Sequence, residues 1–230
     1  MRRKLLGDEH PDVASTLADL TIYLTGQGKL GEVEGMCREA LARAKKQFGD
    51  DEHPFVANSL HQLAGVLRVS GKSSEAEAVF REAVAMRRKL LGNEHPDVAD
   101  SLAWLGVSLS DQGRYAEAEA MHREALQITR KLPDREIWIV NMLTDIGYAL
   151  QRQGKHVEAE AAFRESLALR RKLPANDARL ATALADLTWT LLDQQKFAEA
   201  EPSARECLAI REKTSPDDWR TFNARSMLGG

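Results

Sequence analysis

The sequence predicts an all-α protein, a right-handed α-solenoid of antiparallel helix pairs. Two observations support this fold class. Short phrases recur along the 230 residues with a period near 42, and between them apolar residues recur at intervals of three and four. That spacing is typical of amphipathic helices, whereas the alternation expected of half-buried strands is missing from the sequence. One helix pair cannot bury its apolar faces alone, so we expect the copies to stack.

The most regular phrase marks the turn between the two helices of each pair. It reads QGKLGEVE from Gln27, SGKSSEAE from Ser70, QGRYAEAE from Gln112, QGKHVEAE from Gln153 and QQKFAEAE from Gln194. Glycine holds the second position in four copies, and Gln195 holds it in the fifth. A glycine there predicts a left-handed turn that ends the first helix.

Apolar columns place a first helix before each turn and a second helix after it. The first helix carries Val13, Leu17, Leu20 and Leu24 in one copy and Val56, Leu60, Leu63 and Leu67 in the next. The second helix carries Val33, Cys37, Ala40 and Leu41, then Ala76, Phe80, Ala83 and Val84. We therefore predict repeats at 10–52, 53–94, 95–135, 136–176 and 177–216, with partial repeats at 1–9 and 217–230.

A second phrase opens the first three repeats as GDEHPDVASTL, DDEHPFVANSL and GNEHPDVADSL. Proline is tolerated at the first turn of a helix, and Asp12 or Asp97 adds negative charge at the positive helix end. His-Pro-Asp is also the signature tripeptide of J-domain co-chaperones. Here it recurs at repeat boundaries, so we interpret it as a helix start.

Small residues mark predicted close contacts between helices. They are Ala64, Gly106 and Gly147 in first helices and Ala76, Ala118, Ala159 and Ala200 in second helices. These columns resemble the tetratricopeptide repeat, over essentially the whole chain. The period, the EHPDVA opener and the REALAxRRKLLG ending resemble the kinesin-light-chain subtype and related bacterial arrays. The resemblance implies a scaffold that binds protein segments in a groove lined by first helices.

Composition and spacing argue against other classes of function. The net charge of −3 gives no global basic field for nucleic acid. The basic runs at 87–89 and 170–172 close second helices, and we interpret them, like the Glu-Ala-Glu pairs, as solvated helix surface. The repeat histidines lie one per repeat, which disfavours a shared metal ion, and His122 is predicted to be packed in the core. We expect no enzyme activity and no cofactor.

The expected compartment is the cytoplasm. Cys37 and Cys207 both lie in helical runs, which favours buried thiols in a reducing environment. The most apolar run, which begins at Leu180, is too short and too polar to span a membrane. We therefore expect no membrane association.

Exposed positions on the first helices form the predicted peptide-binding groove. They are Asp19, Asn58, His61, Gln62, Arg68, Asp100, Trp104, Asn141, Asp145, Tyr148, Arg152, Asp186, Trp189 and Asp193. Trp104, Tyr148 and Trp189 lie off the leucine columns and are candidate anchors for a ligand, the alternative being that they pack between repeats. Asn58 and Asn141 are candidates to hold a peptide backbone through their amides.

The charge of this surface predicts the partner's chemistry. Kinesin light chains bind cargo peptides, some with a tryptophan flanked by acids, through a first helix that often reads Leu-Asn-Asn-Leu. The corresponding segments here are LADL, LHQL, LAWL, LTDI and LADL, three of which contain aspartate. An acidic wall repels acidic peptides, so we expect a neutral or basic peptide ligand.

The two ends of the sequence predict a segment of a longer array. Residues 1–9 match the end of a second helix, and the segment from Ser215 matches a sixth first helix. Uncapped ends favour end-to-end self-association. The final phrase is similar to the last repeats of bacterial proteins in which such arrays follow a serine/threonine kinase domain. Two alternatives to peptide binding therefore remain, a structural arm or spacer and regulation of an attached kinase.

Overall fold

The computed structural model describes residues 29–49, 53–174 and 177–229, in which the regular secondary structure is entirely helical. Ten helices follow one another in these ranges: α1 (Leu30–Phe48), α2 (Pro54–Val69), α3 (Ser73–Leu91), α4 (Pro96–Asp111), α5 (Tyr115–Thr129), α6 (Glu136–Arg152), α7 (His156–Arg170), α8 (Asp177–Asp193), α9 (Phe197–Thr214) and α10 (Trp219–Ser226). None of these described helices is long and apolar enough to cross a membrane.

The helices form two compact units. Unit 1 ends at Gly113 and contains α1–α4, and unit 2 begins at Arg114 and contains α5–α10. Within each unit every helix packs against the next one along the chain. The predicted pairs α2–α3, α6–α7 and α8–α9 are therefore formed, and helices from adjacent repeats pack together as well.

The leucine columns of the first helices form the core, as predicted. None of the leucine-column residues on α2, α4, α6 and α8 is more than 5% exposed. They are Leu60, Leu63 and Leu67; Leu102, Leu105 and Leu109; Leu143, Ile146 and Leu150; and Leu184, Leu187 and Leu191. The predicted small contacts on the second helices, Ala76, Ala118, Ala159 and Ala200, are also buried. Small side chains there allow paired helices to approach closely.

The turn phrase adopts the predicted left-handed conformation. Gly71, Gly113 and Gly154 have φ of 77°, 75° and 75°. Gln195 takes the same position with φ of 59°, which few residues other than glycine adopt. The register of the repeat therefore fixes the turn even where the preferred residue is missing. The first copy of the turn phrase begins outside the described residues.

The His-Pro phrase starts a helix, and its histidine has a direct part in doing so. His53 and His95 are the N-cap residues of α2 and α4, and each is followed by proline at the first helical position. Their Nδ1 atoms accept hydrogen bonds from the backbone N–H of Phe55 and Asp97, at 3.3 and 3.1 Å. The imidazole thus satisfies an N–H that has no partner within the helix. The copy at His10 lies outside the described residues.

A recurring polar contact, which we call the inter-repeat clasp, joins the second helices α1, α3, α5 and α7 to the turn of the next repeat. Its centre is the second glutamate of the Glu-Ala-Glu phrase and its equivalents, Glu34, Glu77, Glu119 and Glu160. Glu160 shows the full set of contacts. It accepts from Arg164 of its own helix at 2.7 Å, and from Gln194 and Lys196 of the next turn at 2.9 and 2.7 Å.

The other clasps use the same positions. Glu119 accepts from Arg123, Gln153 and Lys155 at 2.8, 2.9 and 3.2 Å. The prediction that these glutamates are solvated helix surface is wrong for the clasp position, because the side chain of Glu119 is only 12% exposed. It holds for Glu117, the other acid of the pair, which is 51% exposed. Residues two apart on a helix point to different faces, so one glutamate of the pair faces the next turn and the other faces solvent.

Gly147 is required by close packing, and its replacement tests that packing. A Cβ at this position would lie 2.6 Å from Cε1 and Cζ of Phe163, so Gly147→Ala forces the ring to move. We expect a loss of about 1–3 kcal/mol in the free energy of unfolding, measured by urea denaturation. The control is Gly65→Ala, where the new Cβ meets nothing within 4 Å and helix propensity favours alanine by about 0.5–1 kcal/mol. Equal effects of the two substitutions would contradict this account.

The clasp predicts a defined acid dependence of stability. Burial alone raises the pKa of Glu160, but hydrogen bonds from Lys196, Arg164 and Gln194 outweigh it and lower the pKa to about 2. A carboxyl whose pKa is lower in the folded state stabilises it above the unfolded pKa and loses that effect as the pH falls.

We therefore expect Glu160→Gln to cost about 1–2 kcal/mol at pH 7, and the difference from wild type to disappear between pH 4.5 and 2. The control variant is Glu158→Gln on the same helix, whose carboxylate is 58% exposed. Denaturation at a series of pH values measures both. A difference that does not change with pH would rule out the ionised clasp as its source.

Candidate peptide-binding surface

The predicted groove residues lie on the first helices of both units. The unit 1 wall consists of Asn58, His61, Gln62 and Arg68 on α2 and Asp100 and Trp104 on α4. The unit 2 wall consists of Asn141, Asp145, Tyr148 and Arg152 on α6 and Asp186, Trp189 and Asp193 on α8. Asp19 lies outside the described residues. Hydrogen bonds join α2 to α4 and α6 to α8, so each wall spans two neighbouring first helices.

Arg87 of α3 organises the polar residues of the unit 1 wall. Its guanidinium is 6% exposed and donates to the backbone carbonyl of Asp97 at 2.7 Å and to the Ser101 hydroxyl at 2.7 Å. It also donates to Oδ1 of Asn58 at 2.9 Å, and its Nη1 lies 3.7 Å from the carboxylate of Asp100. The carbonyl oxygen of Asn58 is thus engaged internally, and its NH₂ group is the part left for a ligand.

His61 completes this network as a neutral side chain. Burial, with the nearby charge of Arg87, lowers the pKa of His61 to about 3, so the ring carries no charge at pH 7. Its Nε2 lies 3.2 Å from Asp100, and its Nδ1 lies 3.1 Å from the hydroxyl of Ser101 and 3.4 Å from Arg87. This set of neighbours assigns Nε2 as the donor and Nδ1 as the acceptor.

An arginine also covers the exposed tryptophan of the unit 1 wall. The guanidinium carbon of Arg68 lies 5.2 Å from the centre of the Trp104 ring, and its Nη1 donates to Asp111 at 3.1 Å. The Trp104 side chain is still 38% exposed. The prediction that this residue lies on an accessible surface is therefore confirmed, although one face of its ring has an internal partner. Gln62 lies half-buried beside these residues.

In the unit 2 wall a tyrosine links the two first helices. The hydroxyl of Tyr148 donates to Oδ1 of Asp186 at 2.7 Å, and its ring packs edge-on against Phe163, with centroids 5.4 Å apart. Burial raises the pKa of Asp186 to about 6, against the opposing effects of the Tyr148 hydrogen bond and the charge of Arg211. Tyr148 packs between helices, as one of the two interpretations predicted, and its side chain remains 42% exposed.

Asp145 has less internal support than any other acid of the walls. It accepts no hydrogen bond within the described chain, and its nearest basic group is Nδ1 of His122, at 4.0 Å. Burial lowers the pKa of His122 to about 4, so this ring is neutral at pH 7. Burial also raises the pKa of Asp145 to about 6. His122 is 1% exposed, which confirms that it is a packed core residue.

The remaining residues of the unit 2 wall are open to solvent. Trp189 is 39% exposed, and Asn141, Arg152 and Asp193 are also exposed. Oδ2 of Asp193 accepts from Gln151 at 3.1 Å. The unit 2 wall therefore offers an indole ring, an amide and three carboxylates, with one arginine among them.

The residue that sequence reasoning missed is Arg87. It belongs to the run 87–89, and the prediction of a solvated face is wrong for this arginine. The repeat contains a signal that could have identified it, because Arg211 occupies the same column of α9 and makes the same bond. Nη1 of Arg211 donates to the carbonyl of Arg220 in the next first helix at 2.6 Å. Arg170 also holds this column, whereas Ala44 and Thr129 hold it in the other two repeats, so the signal is incomplete.

The described residues contain neither a cluster of candidate metal ligands nor a disulfide. No group of three or more His, Cys, Asp or Glu residues there is arranged to hold a metal ion. Cys37 and Cys207 are buried free thiols, and burial raises the pKa of both. The sulfur of Cys207 lies 3.2 Å from the carbonyl oxygen of Ala181, so it serves as a packed core group.

Comparison with known proteins identifies the repeat. The sequence model described as the tetratricopeptide repeat matches residues 27–89, 55–131 and 138–213. No curated protein matches the chain significantly. Solved structures with the same fold are similar over most of the chain, which confirms the predicted all-α solenoid of helix pairs and its likeness to kinesin-light-chain repeats.

Three solved structures illustrate this likeness. One is described as the nearly identical TPR-like repeats of a Podosopora anserina kinesin light chain, with a TM-score of 0.76, 22% identity, and coverage of 90% of this chain and 99% of that one. BtubC (BKLC) from P. vanneervenii has a TM-score of 0.70 and 20% identity, covering 94% and 80%. The apo form of RapI has a TM-score of 0.74 and 15% identity, covering 88% and 72%.

The network around Arg87 can be tested by removing its charge. Arg87→Met leaves Asp100 without its cation and the Asp97 carbonyl without its donor, so we expect a loss of about 2–4 kcal/mol in the free energy of unfolding. The control is Lys89→Gln in the same basic run, where the side chain is exposed and the expected change is within about 0.5 kcal/mol. Chemical denaturation measures both variants. Similar small effects would restore the solvated-face interpretation.

Proposed function

Because the chain belongs to the tetratricopeptide repeat family, whose fold generally serves protein–protein interaction, we propose that it is a non-catalytic module that binds an extended peptide of a partner protein along its first-helix walls. The peptide is neutral or basic. Both buried cysteines are unbridged, and we place the protein in the reducing cytoplasm.

The observation that carries this proposal is the exposure of large aromatic side chains on first helices. Trp104, Tyr148 and Trp189 are 38%, 42% and 39% exposed, although they alternate with leucine columns that are almost completely buried. The core does not require an aromatic side chain at these positions. Partly exposed tryptophan and tyrosine can bury large area in an interface at low cost in conformational entropy, which makes them common anchors.

Two of these aromatics are already held in place. Arg68 covers one face of Trp104, and the hydroxyl of Tyr148 is bonded to Asp186. A side chain that is fixed before binding loses less entropy when the ligand arrives. Asn58 and Asn141 lie exposed on α2 and α6. The free NH₂ group of Asn58 and the amide of Asn141 are suited to bond the backbone of an extended chain.

A second candidate function is a structural arm, and the inter-repeat clasp favours it. Neighbouring second helices are joined further by ion pairs such as Arg130–Glu165 and Arg164–Glu199, at 2.6 and 2.7 Å. Such contacts, repeated along each unit, hold successive pairs in register. An array with this role would position attached domains without a ligand on its walls.

Replacing the two tryptophans distinguishes these functions. We expect the double variant Trp104→Ala, Trp189→Ala to lose at least about ten-fold in affinity for peptides selected on an array, because two partly exposed anchors are truncated. Fluorescence anisotropy at two salt concentrations measures affinity, and circular dichroism checks that helicity is retained. A basic ligand should also bind more weakly at high salt.

The matched control for this experiment is Phe197→Ala. Phe197 is 64% exposed but lies at the start of α9, a second helix. The substitution removes a comparably exposed aromatic side chain that lies outside both walls, so it should leave the affinity for the peptide unchanged. Selected peptides that bind the double variant as tightly as wild type would exclude the aromatic anchors, and an absence of selected peptides would favour the structural arm.

A further inference from the structure

The unit 2 wall contains a carboxylate that the protein does not neutralise. Half-buried acids elsewhere in unit 2 have cations of their own, as Glu119 has Arg123 and Lys155 and Glu160 has Arg164 and Lys196. Asp145 is partly buried, with 39% of its side chain exposed, and no lysine or arginine of the described chain lies within 4.0 Å of its carboxylate. A partly buried charge without a partner is costly, so this exception needs a physical explanation.

A second polar group beneath Asp145 is also unpaired. Nδ1 of His122 is buried, has no hydrogen-bond partner within the described chain, and lies 4.0 Å from Oδ2 of Asp145. That distance is too long for a hydrogen bond. Since His122 is neutral at pH 7, it does not supply the missing positive charge. Two adjacent polar groups without partners are expected where the partner comes from outside the protein.

The unit 1 wall shows how this chain satisfies such positions internally. There Arg87 lies beside Asp100, and Arg68 lies over Trp104. In unit 2, Gln151 and Leu192 take the column of Arg68. Thr129 takes the column of Arg87 on α5, whereas Arg170 and Arg211 keep that column on α7 and α9. Thr129 donates to the carbonyl of Ala125 in its own helix. The unit 2 wall thus keeps the acids and the aromatic rings but lacks the arginine of the Arg68 column, and α5, which carries His122, lacks the arginine of the Arg87 column.

We propose that the unit 2 wall binds an arginine side chain of the peptide ligand, with Asp145 as its principal acceptor, Asp186 as the second carboxylate and the Trp189 ring against the guanidinium plane. This inference rests on the proposed function and names the residue type that the wall selects. In the bound state the ligand's guanidinium takes the role that Arg68 has over the Trp104 ring of unit 1.

Arginine fits this surface better than lysine for geometric reasons. A guanidinium is planar, presents five N–H donors in a fixed fork and stacks on aromatic faces, whereas an ammonium is a compact, strongly hydrated charge. Tyr148 holds the carboxylate of Asp186 in one orientation, at 2.7 Å, so that acceptor is positioned in advance. The exposed face of Trp189 has no cation against it among the described residues.

The distribution of charge also limits where the arginine can bind. Arg152 is the single cation in the unit 2 wall, and it lies two helical turns from Asp145 along α6, about 10 Å. Arg211 acts on Asp186 through its charge, while its own guanidinium donates to the carbonyl of Arg220. The Asp145 end of the wall is therefore the part that best accepts an added positive charge.

Ionisation of Asp145 gives the binding a pH profile. The groups facing it are His122, which is neutral, and the Tyr148–Asp186 pair. Since burial raises the pKa of Asp145 to about 6, roughly nine-tenths of this carboxyl is protonated at pH 5. A bound guanidinium favours the ionised form, so affinity for an arginine peptide should rise by about ten-fold between pH 5 and 7.5.

The experiment uses the full chain and an immobilised library of neutral nonapeptides with arginine, lysine, citrulline or glutamate at the centre. Citrulline has the shape of arginine without its charge. Affinities of the selected peptides are measured by fluorescence anisotropy for wild type, Asp145→Asn and Glu136→Gln. Asparagine keeps the size of aspartate, and Glu136 is an exposed acid at the start of the same helix, so its removal controls for net charge.

We expect wild type to prefer arginine over citrulline by at least about ten-fold, Asp145→Asn to reduce this ratio to about one, and Glu136→Gln to keep it. Selected peptides that bind with no preference for arginine would overturn this inference and leave the proposed function intact. A preference that survives in Asp145→Asn would also overturn it. If no peptide in the library binds, the proposed function fails, and this inference fails with it.

Discussion

The inter-repeat clasp is the contact on which the rest of the structure depends. An isolated helix pair has too little apolar surface to fold alone, so the interface between repeats carries stability and alignment together. In the clasp a half-buried glutamate such as Glu160 bonds to the turn of the next repeat through Gln194 and Lys196. That turn fixes the residue at which the next second helix begins. The clasp thus links each repeat to the position of its neighbour.

The walls follow from this alignment. When the turns are fixed, the first helices present the same columns in successive repeats, and residues from neighbouring helices come within bonding distance. Tyr148 reaches Asp186, and Arg68 reaches Asp111, only because their helices are in register. The polar chemistry of each wall is then determined by which side chains occupy equivalent columns. The same backbone gives an internally neutralised wall in unit 1 and an acidic one in unit 2.

The sequence was sufficient to predict the elements of the fold because the signals were repeated. The leucine columns, the small residues and the left-handed turn each recur, and Gln195 adopts the turn conformation without being a glycine. The capping role of His95 was missed, because the phrase was interpreted through its proline and aspartate alone. A histidine that caps its own helix through one acceptor atom adds no apolar periodicity to the sequence, so only its place before the proline marks it.

The binding surface was harder to predict because it depends on contacts between repeats. Periodicity indicates which column a residue occupies but not which partner it meets. Arg87 was therefore placed in solvent, although four groups from two neighbouring helices surround its guanidinium. The exposure of Trp104, Tyr148 and Trp189 was predicted correctly, since their columns lie beside the core columns. Which face of each ring is already covered could be learned only from the structure.

The contrast between the walls has a thermodynamic meaning. A carboxyl whose pKa is higher in the folded protein destabilises the fold when it ionises, so Asp145 and Asp186 oppose folding as the pH rises from about 4 through 6. Asparagine at either position would remove this effect at no cost in volume. Core packing therefore does not account for two acids in this column. A surface that keeps destabilising charge where a neutral residue would fit is expected to be used in binding, because an arriving cation recovers the lost free energy.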